Sequence, residues 1–136
     1  MSLGNSYPTR SSVPNTEIIR GIWTGGGAAS NCTKAAADWS RGIKSIAYNA
    51  ATGKYLVTLV DGGQQIVGGG IEFNGPAGAT KKFVHVIRST YSPSAKTVQI
   101  EVWTQGTHLV DPALVDLATT ETLMCEFVMV TNKPAS

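Results

Sequence analysis

No run in this 136-residue sequence is apolar over the ~20 residues a helical membrane span needs, and Met1–Thr16 lacks the apolar core of a signal peptide. The expectation is a soluble protein made in a cytoplasm, with no membrane partner. Charge is scarce too: 15% of residues are charged, against ~25% in an ordinary soluble domain. A surface so short of charge implies that much of it is covered by something else. The 11 basic and 9 acidic residues are scattered, and no basic run could follow a phosphate backbone, which argues against nucleic acid.

Reactive groups are equally thin. His85 and His108 are the only histidines, and neither stands at ligand spacing from Cys32, Cys125 or a carboxylate, so no metal or cofactor is expected. Gly25-Gly26-Gly27-Ala28-Ala29-Ser30 follows a strand pattern but has Ser30 where a dinucleotide fingerprint has its third glycine, so it reads as a wide turn. Asp38-Trp39-Ser40-Arg41-Gly42 has Asp where a nucleophile elbow has glycine. Carboxylates are few, with Asp61 and Glu72 near turns and Glu101 on a solvated strand face. These patterns point away from an enzyme. Cys32 and Cys125 are expected to be reduced, buried thiols.

What the chain does have is alternation. Ile43–Asn49 and Lys54–Asp61 read as a hairpin closed by Ala50-Ala51-Thr52-Gly53, with Tyr55, Val57 and Leu59 on one face and Gly53 supplying a positive φ. Glu17–Thr24, Gln64–Phe73, Lys81–Tyr91, Lys96–Gln105 and Thr122–Val130 add further strands. Val98, Ile100 and Val102 point inward from the cleanest of them. Gly68-Gly69-Gly70 predicts a bulge or the close approach of another backbone. Asp111-Pro112 looks like a helix start, and Ala113–Ala118 could make one helical turn. About seven or eight strands at this spacing predict an all-β, antiparallel β-sandwich or jelly-roll-like domain over 17–132. Residues 1–16 read as an extended N-terminal arm and 133–136 as a C-terminal tail.

The last strand is apolar on both faces. Leu123, Cys125, Phe127 and Met129 suit a core, which leaves Met124, Val128 and Val130 on the other side with Glu126 the only charge. Such a face implies an interface. The residues expected to carry contacts are Met124, Val128 and Val130, together with Trp103 and, in the arm, Tyr7. A homo-oligomer follows, with a trimer favoured over a dimer.

Gly53-Lys54-Tyr55-Leu56-Val57-Thr58-Leu59-Val60-Asp61, then Asp116-Leu117-Ala118 ahead of the terminal strand Leu123–Val130 and Thr131-Asn132, resembles a pattern in small virion proteins of tailed bacteriophages. The resemblance covers about Ile43 to Asn132 and implies a β-sandwich structural protein. Its expected role is a capsid decoration or cement protein on the virion exterior, synthesised in the host bacterial cytoplasm. The major capsid protein would then be a partner, bridged across its subunit joints. The alternative is a tail-fibre or baseplate β module that binds a receptor or glycan through Trp or Tyr side chains.

Overall fold

The computed structural model describes residues 16–35, 42–61 and 63–130. The expected arm with Tyr7, Trp39 and the C-terminal tail lie outside these residues. Among the described residues no helix forms. The strands are β1 (Thr16–Thr24), β2 (Thr33–Lys34), β3 (Ile43–Tyr48), β4 (Lys54–Leu59), β5 (Gln65–Asn74), β6 (Lys82–Ser92), β7 (Thr97–Thr104) and β8 (Thr122–Val130). They build two four-stranded antiparallel sheets in the orders β2-β1-β8-β5 and β3-β4-β7-β6. The protein is an all-β antiparallel sandwich.

Period-2 alternation creates the space between the sheets. Tyr55, Val57 and Leu59 of β4 and Val98, Ile100 and Val102 of β7 are buried from one side. Ile19 and Trp23 of β1 and Leu123, Cys125, Phe127 and Met129 of β8 are buried from the other. Each inward row is matched by an outward row one residue away, so the core fixes which side chains the outer faces display.

The β3–β4 hairpin turns as expected, with Ala50 at φ 60° and Gly53 at φ 74°. A Cβ at position 53 would also sit 2.8 Å from the Val102 carbonyl oxygen and the Val115 nitrogen, so backbone angle and space both demand glycine here. The three glycines of β5 do not break the strand. Its register against β8 shifts between Ile66 and Gly68, the bulge that the glycines predicted. Gly69, at φ 87°, lies against the Glu126 carbonyl where no Cβ fits, whereas a Cβ on Gly70 would meet open space.

The segment after Asp111 departs from expectation, since Ala113–Ala118 is extended and forms no helical turn. The Thr104 N–H donates to the Ala113 carbonyl (2.8 Å) and the Val115 N–H to the Val102 carbonyl (3.0 Å), with Trp103 and Leu114 bridged between them. The sheet offered these backbone groups antiparallel partners, and that outweighed a weak local start signal.

Candidate functional site

The end of the sandwich near Asp116 gathers the polar side chains that are most deeply placed. Asp116 ties two turns together, its Oδ1 accepting from the Gly53 N–H (2.7 Å) and its Oδ2 from the Ala29 N–H (3.0 Å). Leu117 is buried, and its N–H donates to the Tyr55 hydroxyl (2.9 Å). The two sequence motifs, Gly-x-Tyr and Asp-Leu-Ala, therefore meet in space. Burial pushes the Tyr55 phenol up to about 12, an effect that the hydrogen bond from Leu117 only partly offsets.

Beside them, Lys82 Nζ and Glu121 Oε1 form an ion pair of 2.6 Å with side chains only 9% and 5% exposed. Lys82 also donates to the Asp116 carbonyl (3.1 Å), and Glu121 accepts from the Ala118 N–H (2.7 Å). A buried carboxylate invites a catalytic reading, but both ions here are engaged by each other and by backbone. Their arrangement holds the 116–121 segment down, and the Gly25–Gly27 turn folds over that segment through the Gly27 N–H to Leu117 carbonyl bond (3.0 Å). Among the described residues no group of three His, Cys, Asp or Glu side chains could hold a metal ion. Cys32 and Cys125 are both buried, and no disulfide joins them. Burial alone raises the Cys32 thiol to about 12, which keeps it protonated and unreactive.

A second arrangement lies on the outer face of the β2-β1-β8-β5 sheet. Register pairs Ile18 with Val128, Arg20 with Glu126 and Ile22 with Met124 across β1 and β8. Because Ile19, Gly21 and Trp23 face the core, these alternate residues face out. Ile18 is 53% and Met124 43% exposed, and Val128 and Ile22 are half-buried. Ile18 and Met124 are the open members of these rows. Through the middle runs one ion pair, Arg20 Nε to Glu126 Oε2 at 2.8 Å. On the β5 side an open hollow of about 780 Å³ lies between Met124, Glu126, Gly70, Glu72 and Phe83.

A third feature is an ordered turn with apolar side chains. The Thr107 N–H donates to the Val110 carbonyl (2.7 Å), and the Thr107 hydroxyl accepts from the N–H groups of Leu109 (3.2 Å) and Val110 (3.1 Å). Leu109 at 81% and Val110 at 63% exposure are thus presented by a fixed backbone.

Met124, Val128 and Val130 come together on one outer face. Trp103 does not join them, because β7 belongs to the opposite sheet, where the indole N–H donates to Glu101 (3.2 Å). His85 is exposed on β6 and His108 is exposed in the loop after β7. Sequence reading missed the Lys82–Glu121 pair, since no spacing links a strand start to a loop 39 residues later. The Arg20–Glu126 pair was half visible, because each is the only charge on the outward row of its strand. No known family model matches the chain, and no curated protein or solved structure is similar to it at a significant level.

Proposed function

We propose that the protein is a non-enzymatic structural subunit of a tailed-phage virion, a capsid decoration or cement protein that self-associates and bridges major capsid protein subunits from the shell's exterior. The observation that carries this reading is the outer face of β1 and β8, a row of aliphatic side chains on water in a domain whose core is already complete. A monomer gains nothing from Ile18, Met124 and Val128 at those positions, whereas a subunit that spends its life against protein does. The resemblance of Gly53–Asp61 and Asp116–Ala118 to phage virion proteins adds to it, as does the ordered Leu109-Val110 turn, a second apolar feature suited to the shell. Burial of apolar area at ~25 cal/mol per Å² would leave several kcal/mol per contact after association costs, repeated over every copy.

The tail-fibre reading keeps one specific observation. Phe83 and Trp103 are register partners on the outer face of the other sheet, with Phe83 well exposed, a pair of rings of the kind that stack on sugars. Copy number separates the two. Quantitative gel or mass analysis of purified virions is expected to give hundreds of copies per particle, and a few tens or fewer would move the protein to the tail. Absence from virions would remove the proposal altogether.

A further inference from the structure

We propose that the outer face of β1 and β8 is the contact of a symmetric dimer, with a two-fold axis that runs parallel to the strands and between them. The inference rests on that face being a contact surface and not on where in a virion the protein sits. Three rows define the face: Ile18 beside Val128, Arg20 beside Glu126, Ile22 beside Met124. Consider a second copy laid face to face on the first. Rotation about an axis along the strands exchanges the positions of β1 and β8 and leaves each row at its own height. The partner's Ile18 then covers Val128, its Arg20 covers Glu126, and its Ile22 covers Met124. The apolar rows meet apolar rows, and the central row becomes an alternating square of two arginines and two glutamates.

The other in-plane axis, across the strands through the central row, gives the opposite result. It keeps β1 over β1, so Arg20 opposes Arg20 and Glu126 opposes Glu126, while Ile18 meets Ile22. Like charges brought face to face in a drying contact repel, so the charge row selects the first axis. A two-fold contact needs a self-complementary patch, which this face is. A three-fold contact joins two different patches, so the face favours a dimer over the trimer expected from capsid geometry. Sheets stacked this way pack with mean strand directions within about 30° of each other, which the axis permits. The two nine-residue strands, at ~3.3 Å per residue and ~4.8 Å spacing, make the face roughly 30 by 10 Å, in the class of weak, reversible contacts. Association in the micromolar range is expected.

The full chain tests this in two ways. In the first, Ile18→Cys and Val128→Cys copies carrying tags of different length are mixed under mild oxidation. A covalent dimer joining the two variants should dominate, and mixtures of Ile18→Cys with Ile22→Cys should give little. In the second, Arg20→Glu leaves the central row wholly acidic and Glu126→Arg leaves it wholly basic. Each variant alone should associate at least tenfold more weakly than wild type, and their equimolar mixture should recover the dimer, an outcome that misfolding could not produce. Cross-linking of Ile18→Cys to Ile22→Cys in place of Val128→Cys would overturn the axis. Failure of the charge mixture to recover association would overturn the contact itself, because acidic and basic rows complement each other on either axis. A monomeric wild type in which Ile18→Cys becomes reactive to a thiol probe only after removal of residues 1–15 would overturn the dimer, because the chain would then cover its own face. Binding of the same variants to undecorated capsids is measured in parallel. A wild type that binds capsids but is monomeric removes this inference alone, and lack of capsid binding by an intact wild-type dimer removes the virion reading alone.

Discussion

The two outward faces of the sandwich come from strands of similar length and alternation, yet they are dressed differently. On the β3-β4-β7-β6 sheet polar and apolar rows are mixed: Lys54, Glu101 and His85 share one register row and Thr58 and Thr97 another, while Leu56 and Ile87 flank Gln99 and Phe83 lies beside Trp103. On the β2-β1-β8-β5 sheet the rows on either side of Arg20 and Glu126 are aliphatic across β1 and β8. Both sheets bury equally apolar inner rows. Folding asks for those inner rows and is indifferent to most of what lies outside, so what distinguishes β1 and β8 is an aliphatic pair on each side of one ion pair, the pattern that the proposed contact would use.

The largest effects are expected in what the two faces share, the interior. Lys82→Met leaves Glu121 buried without its partner ion and should lower unfolding free energy by about 3–5 kcal/mol in denaturant titration. A loss under about 1 kcal/mol would mean that the pair is not the clamp described. Next comes the glycine run beside the aliphatic face. Gly69→Ala forces a side chain into a positive-φ site against the Glu126 carbonyl and should cost about 1–3 kcal/mol. Gly70→Ala meets open space and should be neutral or stabilising by up to about 1 kcal/mol. Equal losses at the two positions would contradict the bulge.

A pH series probes the interior without changing it. The Cys32 thiol and Tyr55 phenol, each raised to about 12, stay neutral in the fold while their unfolded counterparts ionise near 9 and 10. The unfolded state therefore sheds protons first. These two groups contribute no slope near neutral pH, and stability should fall as pH climbs from about 9 towards 12. Cys32→Ala should delay the onset of that fall towards the tyrosine range. The smallest effect is reserved for the polar face, where Thr58→Glu should change stability by no more than about 0.5 kcal/mol and leave the mass in solution unaltered.

Much of the fold was legible in the sequence because hydrophobic alternation sets which side chains can be buried together. Tyr55, Val57 and Leu59, Val98, Ile100 and Val102, and the inward row of β8 all follow from spacing alone. The hairpin at Gly53 and the bulge at Gly68–Gly70 were legible because few other residues tolerate those geometries. Strand order was not, and with it went the position of Trp103, since period 2 assigns a face within a sheet and does not say which sheet. Ala113–Ala118 misled because a proline after aspartate is a local signal, while its backbone partners on β7 come from a distant part of the chain. The Asp116 knot escaped for the same reason: its partners, at positions 29, 53 and 55, are far away in sequence. The half of the site carried by β8 could be read from Met124, Val128 and Val130. Its β1 half, Ile18 and Ile22, became visible only through the register that sets them beside it.

The measurement that bears most directly on the contrast between the faces is sedimentation equilibrium of the full chain and of Val128→Glu. The wild type should show mass rising with concentration from about 1 to 100 µM, as a micromolar contact requires. Val128→Glu should remain monomeric throughout, because a buried unpaired carboxylate opposes the contact by several kcal/mol, and its melting temperature should stay within about 3 °C of wild type. A wild type that is monomeric over the whole range, indistinguishable in mass from Val128→Glu, would contradict the reading of β1 and β8 as a contact face.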